Sequence, residues 1–146
     1  MRSCGLAVMR SGIKKYSALG RREKHLFLEA FFEQLWAGFI IKIVPFRWVP
    51  KLYAGKTQDS TKGESDVVRE LKKAIERAGT LSPWKNRCLV ESLAARRMLN
   101  RRRIHSQVSL GVAHDERKKL VAHAWIKTGD TEIVSERGDY TSLYFF

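Results

Sequence analysis

Arg87-Cys88-Leu89-Val90-Glu91-Ser92-Leu93-Ala94, followed further on by Val121-Ala122-His123-Ala124-Trp125-Ile126, brackets the change of period that decides the fold. In the first stretch Leu89, Val90, Leu93, Ala94 and later Leu99 recur at helical spacing. This predicts a helix capped by Asn86 and running to about Asn100, with Arg96, Arg97 and Arg101 outward. In the second, Leu120, Ala122, Ala124 and Ile126 alternate as a half-buried strand does. Val108, Leu110 and Val112 alternate before it, and strand-like runs follow at Thr131 to Ser135 and Tyr140 to Phe146. Helices first and a run of strands afterwards describe an α+β fold with an antiparallel sheet.

Upstream of this unit the pattern is helical again. Ser65 or Asp66 can cap a helix through Ala78, with Val67, Val68, Leu71, Ala74 and Ile75 on one face and Gly79 as its stop. Residues 54–65 contain no large apolar side chain and read as a linker. Before it, Leu28, Phe32, Leu35, Phe39 and Ile43 recur at helical spacing, and Phe27, Phe31, Trp36 and Ile40 widen the stripe. A helix apolar on nearly every side predicts burial against a partner element. Pro45 and Pro50 end it and leave a short Phe46-Arg47-Trp48 link. The organisation is therefore a basic lead-in over residues 1–22, a helical region over 23–53, a linker over 54–65 and the helix-then-strand unit over 66–146.

A chain of 146 residues with 44% hydrophobic and 29% charged residues has the balance of a soluble globular protein with one modest core. Its two cysteines, Cys4 and Cys88, stand in unlike segments without metal-ligand spacing, so neither a disulfide scaffold nor a zinc site is expected, and a reducing cytoplasm fits. No cofactor or metal is expected. Residues 1–9 are too short in apolar content for a signal peptide. The longest apolar run, Leu35 to Val44, falls well short of the roughly 20 residues a membrane span needs, although it can lie on a membrane surface. The net charge of +13 favours acidic partners, whether nucleic acid, an anionic membrane face or an acidic peptide.

The chemistry lies in Cys88 and His123. A thiol in the first turn of a helix meets unpaired backbone N–H groups and the positive end of the dipole, which favour the thiolate, and Arg87 adds a positive neighbour. The same N–H groups can stabilise an oxyanion. By itself a cysteine at a helix start is more often a packing residue, and a strand histidine more often a satisfied structural one. Together they make a nucleophile and a general base. A base of this kind is usually oriented by a third group. If Gly129-Asp130 is a two-residue hairpin turn, the register places Glu136 beside His123 on the same face, while Asp130 occupies the turn. His25, His105 and His114 have no metal partner at useful spacing, and Arg101-Arg102-Arg103 reads as a solvated helix end. Trp36, Trp48, Trp84 and Trp125 lie in apolar contexts, unlike a stacking platform for single-stranded nucleic acid.

The combination of the Cys88-led helix, Arg101-Arg102-Arg103-Ile104, Leu110-Gly111-Val112 and Ala122-His123-Ala124-Trp125 resembles the transglutaminase-like maturation protease of lasso-peptide gene clusters. The resemblance covers most of residues 81–146, and the Pro-Phe-Arg-Trp portion near residue 45 is similar to the helical part of standalone members. It implies a papain-related Cys-His-acid core, with the cysteine-led helix packed on the sheet, that removes the leader from a ribosomally made precursor peptide. Cys88 is then nucleophile and His123 base. The family's third residue is an aspartate after the histidine strand, where this chain instead has Ser135 and Glu136; Asp130 belongs to a Gly-Asp pair also seen in relatives. The resemblance further implies a separate leader-binding protein and an ATP-dependent cyclase acting next. The same catalytic pair also suits an acyltransferase or a deamidase. The reading from another class is a basic nucleic-acid-binding module without catalysis.

Overall fold

A computed structural model describes residues 17–54, 65–85, 87–135 and 138–146. Most of the basic lead-in, most of the linker, Cys4, Asn86 and Glu136 lie outside these. Among the described residues four α-helices precede four strands: α1 (Arg21–Ile43), α2 (Val49–Tyr53), α3 (Ser65–Gly79) and α4 (Arg87–Arg101), then β1 (Gln107–His114), β2 (Leu120–Thr128), β3 (Thr131–Val134) and β4 (Thr141–Phe145). A 3-10 turn over Phe46–Trp48 joins α1 to α2. The strands form one antiparallel sheet in the order β3-β2-β1-β4, so the fold is α+β.

Alternation fixes which side of the sheet the helices cover. Val108 pairs with Ile126 and Leu110 with Ala124 across β1 and β2, and directly paired residues share a face. Val108 and Ile126 are fully buried in one cluster with Leu71 and Ile75 of α3 and Ala94, Met98 and Leu99 of α4. Around these, apolar area is withdrawn from water at roughly 25 cal/mol per Å². At the sheet's end Phe146 exchanges two backbone bonds with Val108, 2.8 and 2.9 Å, closing β4 onto β1.

α1 packs against α3 and α4 but buries an unexpected face. Its inward residues are Leu26, Ala30, Glu33, Gln34, Ala37 and Gly38, whereas Leu28, Phe32, Trp36, Phe39 and Ile43 are exposed. Most of the expected stripe is thus turned outward, while Phe27, Phe31 and Ile40 of its widened edge are partly buried and mainly small and polar residues face the core. Charge decides this. Glu29 accepts from Arg102 Nη2 at 2.7 Å and Arg101 Nη1 at 3.1 Å, while Glu33 pairs with Arg101 and with Arg97 Nε at 3.4 Å. Arg101 and Arg102, expected at a solvated helix end, instead clamp α1. Rotating α1 to bury its aromatic stripe would leave these carboxylates and guanidiniums without their partners, and removing one partner from a buried pair is destabilising.

Arg96 also departs from expectation, since it is 4% exposed rather than outward. Its Nε donates to the Tyr53 carbonyl at 3.3 Å and its Nη1 to Ser106 Oγ at 3.0 Å. It therefore ties α2 to the loop before β1. A second cluster, Ala37, Val49, Tyr53, Val90 and Leu93, with Trp84 and Leu89 against it, joins α1 and α2 to the first turns of α4. That cluster sets the position of the cysteine-bearing turn.

Candidate active site

Cys88 is the second residue of α4 and half-buried, as the helix-start reading requires. Its turn is fixed from both sides. Leu89 and Val90 pack into the second cluster, and Arg87 Nε donates to Glu91 Oε1 at 2.6 Å one turn on.

His123 lies on β2 opposite Gly111 of β1. Its ring shares a sheet face with Trp125, the two centroids 6.1 Å apart, and Tyr140 covers it at 5.0 Å. Gly111 is required beside it, because a Cβ there would run into the Trp125 ring at 2.7 Å and the Thr141 carbonyl at 2.9 Å. His123 Nε2 lies 2.8 Å from the Ser135 carbonyl oxygen. A carbonyl only accepts, so Nε2 carries the proton in this bond and the neutral ring keeps its lone pair on Nδ1. A base with one nitrogen pinned by an acceptor and a lone pair left on the other is what proton transfer from a thiol needs.

Cys88 and His123 border the same cavity of about 470 Å³. Leu110, Val112, Ala122 and Ala124 line it from the helix-facing side of the sheet, Leu89 from α4, Phe46 from the 3-10 turn, and Leu143 and Tyr144 from β4. The walls are thus largely apolar, with Lys85 the one charged side chain among the described residues that line them. Among the described residues no hydrogen bond joins Cys88 to His123. Both residues border the cavity, while the His123 ring itself lies on the sheet face that carries Trp125 and Gly111, across the strand from Ala122 and Ala124.

The hairpin differs from its expected register. Thr128 pairs with Thr131 and Lys127 with Glu132 as anticipated, but Ile126 then pairs with Val134 instead of Ile133. Ile133 is the extra residue of a bulge, and from there the two strands slip by one. The pairing that set Glu136 opposite His123 therefore does not hold. Ser135, not singled out as an orienting group, supplies the contact through its main chain. Glu136 itself lies outside the described residues. Asp130 is exposed in the turn between β2 and β3 and does not line the cavity. The bulge had a trace in the sequence: Ile133 and Val134 are consecutive apolar residues where strict alternation demands one, and both are buried.

A second bulge shapes the cavity wall. Leu110 pairs with Tyr144 and Gly111 with Ser142, leaving Leu143 as the extra residue on β4. Two neighbouring side chains, Leu143 and Tyr144, consequently reach the same cavity. Among the described residues no three His, Cys, Asp or Glu side chains gather as a metal-ligand set, and no helix there is long and apolar enough to cross a membrane.

No curated protein and no solved structure matches the chain. Residues 40–144 match the family model described as the transglutaminase-like superfamily, from the end of α1 through the cysteine-led helix to β4. The match spans most of the chain, and both Cys88 and His123 fall within it: the chain belongs to the transglutaminase-like superfamily.

Proposed function

We propose that this protein is a cysteine peptidase that removes the leader from a lasso-peptide precursor. The observation that carries the reading is that Cys88, at a helix start, and His123, whose Nε2 is held by the Ser135 carbonyl, line one cavity within this superfamily's fold. His123 Nδ1 takes the thiol proton, and Cys88 Sγ attacks the carbonyl at the leader–core junction. The tetrahedral oxyanion collapses, the C–N bond breaks, and the imidazolium gives its proton to the departing amine. Water, deprotonated by the same imidazole, then hydrolyses the thioester. The Ser135 carbonyl orients the ring throughout, and Glu136, next along the chain, is the carboxylate we assign to offset the imidazolium charge.

The reaction is cytoplasmic in this reading and needs no metal or cofactor from this chain. A separate leader-binding protein presents the precursor, docking on the exposed α1 stripe, and an ATP-dependent cyclase uses the freed amine. The deamidase or acyltransferase alternative shares the first half of the mechanism and differs in what leaves and what accepts. A nucleic-acid-binding role is weakened because Arg97, Arg101 and Arg102 are turned toward Glu29 and Glu33.

Mass analysis of co-expressed precursor tests the proposal. Wild-type protein should yield leader-free core, and Cys88→Ala should yield none while keeping its melting temperature. A mass gain equal to exchange of NH for O, with the chain uncut, would establish the deamidase instead.

A further inference from the structure

A second cavity, of about 360 Å³, adjoins the Cys88 cavity and shares Lys85 with it. It is lined by Gly38, Ile41 and Lys42 of α1, Pro83 and Trp84 of the segment before α4, and Val90. Its apolar walls are ordinary; its charge is not. Lys42 and Lys85 are both cations, and among the described residues no acidic side chain lines either cavity. The acid nearest in sequence, Glu91, is already bonded to Arg87.

One of the cations is also placed in advance. Lys42 Nζ sits over the Trp84 ring, 4.8 Å from its centroid. Trp84 in turn rests directly on Gly38, where an added Cβ would collide with the indole. A helix glycine costs about 0.5–1 kcal/mol relative to alanine, so this close approach is maintained against local propensity. An ammonium already fixed on an aromatic face loses little further freedom when an anion arrives. Both lysines are solvent-exposed, so the attraction is screened by salt.

From this we propose that the second cavity is a carboxylate-reading subsite of the same substrate groove. A peptide that sets a bulky apolar side chain among Leu89, Leu110, Leu143 and Tyr144 places an acidic side chain between Lys42 and Lys85. The inference rests on the acyl-transfer reading of Cys88 and extends it to substrate class: acyl donors with an apolar residue close to a carboxylate. The bulge at Leu143 provides the apolar half of that selection, since it directs a second large side chain into the cavity.

Two matched peptides test it, identical in their apolar residue and differing as Glu against Gln at the neighbouring position, each made as a thioester and as the free peptide. Binding of the free peptides to full-length Cys88→Ala protein, by calorimetry, reads the subsite without requiring turnover. The Glu peptide should bind about tenfold more tightly, the worth of one charge-assisted contact. The preference should shrink in 0.5 M salt and collapse when Lys42→Gln and Lys85→Gln are added, while Lys73→Gln on the exposed side of α3 leaves it in place. Equal binding of the two peptides, or a preference that survives loss of both lysines, would overturn the proposal. Turnover of the thioesters by wild-type protein reports separately on Cys88: a carboxylate preference in binding with no acylation of Cys88 would retain the subsite and remove the acyl-transfer reading.

Discussion

Helices α1 and α3 pack against one another, yet they bury opposite kinds of surface. α3 turns Val68, Leu71, Ala74, Ile75 and Ala78 inward and keeps its charges in solvent. α1 turns mainly alanine, glycine, glutamate and glutamine inward, with Leu26, and keeps Leu28, Phe32, Trp36, Phe39 and Ile43 in solvent. The first is held by withdrawal of apolar area from water. The second is held by close approach of small residues, by Gln34 Nε2 donating to the Ile75 carbonyl at 2.9 Å, and by the glutamate–arginine clamp. Apolar composition thus does not tell which side of a helix faces the core when buried charges on a neighbouring element must be answered.

The contrast predicts different failures. Leu71→Ala removes a fully buried side chain from the shared cluster and should cost about 2–5 kcal/mol, measured as a shift in urea midpoint with little change in slope. A loss under about 1 kcal/mol would mean the α3 face is not the main source of stability. The α1 clamp should weigh less and depend on pH. Burial raises the Glu29 carboxyl's pKa, but the hydrogen bonds and charges of Arg102 and Arg101 outweigh it and hold the group below its ordinary value. A carboxylate depressed in the folded state stabilises above its unfolded pKa of about 4.3, and that contribution fades as pH falls through the folded value. Glu29→Gln should therefore cost on the order of 1 kcal/mol at pH 7, and the gap from wild type should close on acidification below about pH 4. A gap independent of pH would assign the effect to packing.

The same contrast explains what the sequence could disclose. α3 was legible because Arg69, Glu70, Lys73, Glu76 and Arg77 mark its outer side against an apolar inner one. α1 has no such edge, and its partners Arg101 and Arg102 stand 68 to 73 residues away from Glu33 and Glu29, a distance at which a single sequence carries no pairing signal. In the candidate site, Cys88 and His123 could be singled out because a helix start and an alternating strand are local features. Their meeting at one cavity is not local, but follows once helix and sheet are stacked. Ser135 is named beside Glu136 but given no orienting role, because one bulge residue, Ile133, shifts everything after it. Leu143 escaped for the same reason, although the unbroken run Leu143-Tyr144-Phe145-Phe146 already violates strict alternation. Lys85 and Lys42 acquire a shared cavity only through Trp84 resting on Gly38, a contact across 46 positions that helical period does not encode.

The smallest expected effect on stability sharpens the contrast most, because it separates two adjacent phenylalanines. Phe31 is partly buried and packs on the main cluster, whereas Phe32 is 64% exposed. Phe32 lies on the outward stripe with Trp36 and Phe39, whose rings are 6.5 Å apart. An exposed ring leaves little cavity when removed, so Phe32→Ser should change unfolding free energy by no more than about 0.5 kcal/mol. Phe31→Ser should cost several times that, since it leaves a gap and a hydroxyl against buried apolar atoms. If the stripe is where the proposed leader-binding partner docks, Phe32→Ser should weaken capture of that partner and slow cleavage of partner-delivered precursor together. Alkylation of Cys88 by iodoacetamide should keep its wild-type rate, because the cavity walls are untouched. Capture and cleavage unchanged in Phe32→Ser, with the protein folded and Cys88 reactive, would move the docking surface away from α1 while leaving the catalytic proposal standing.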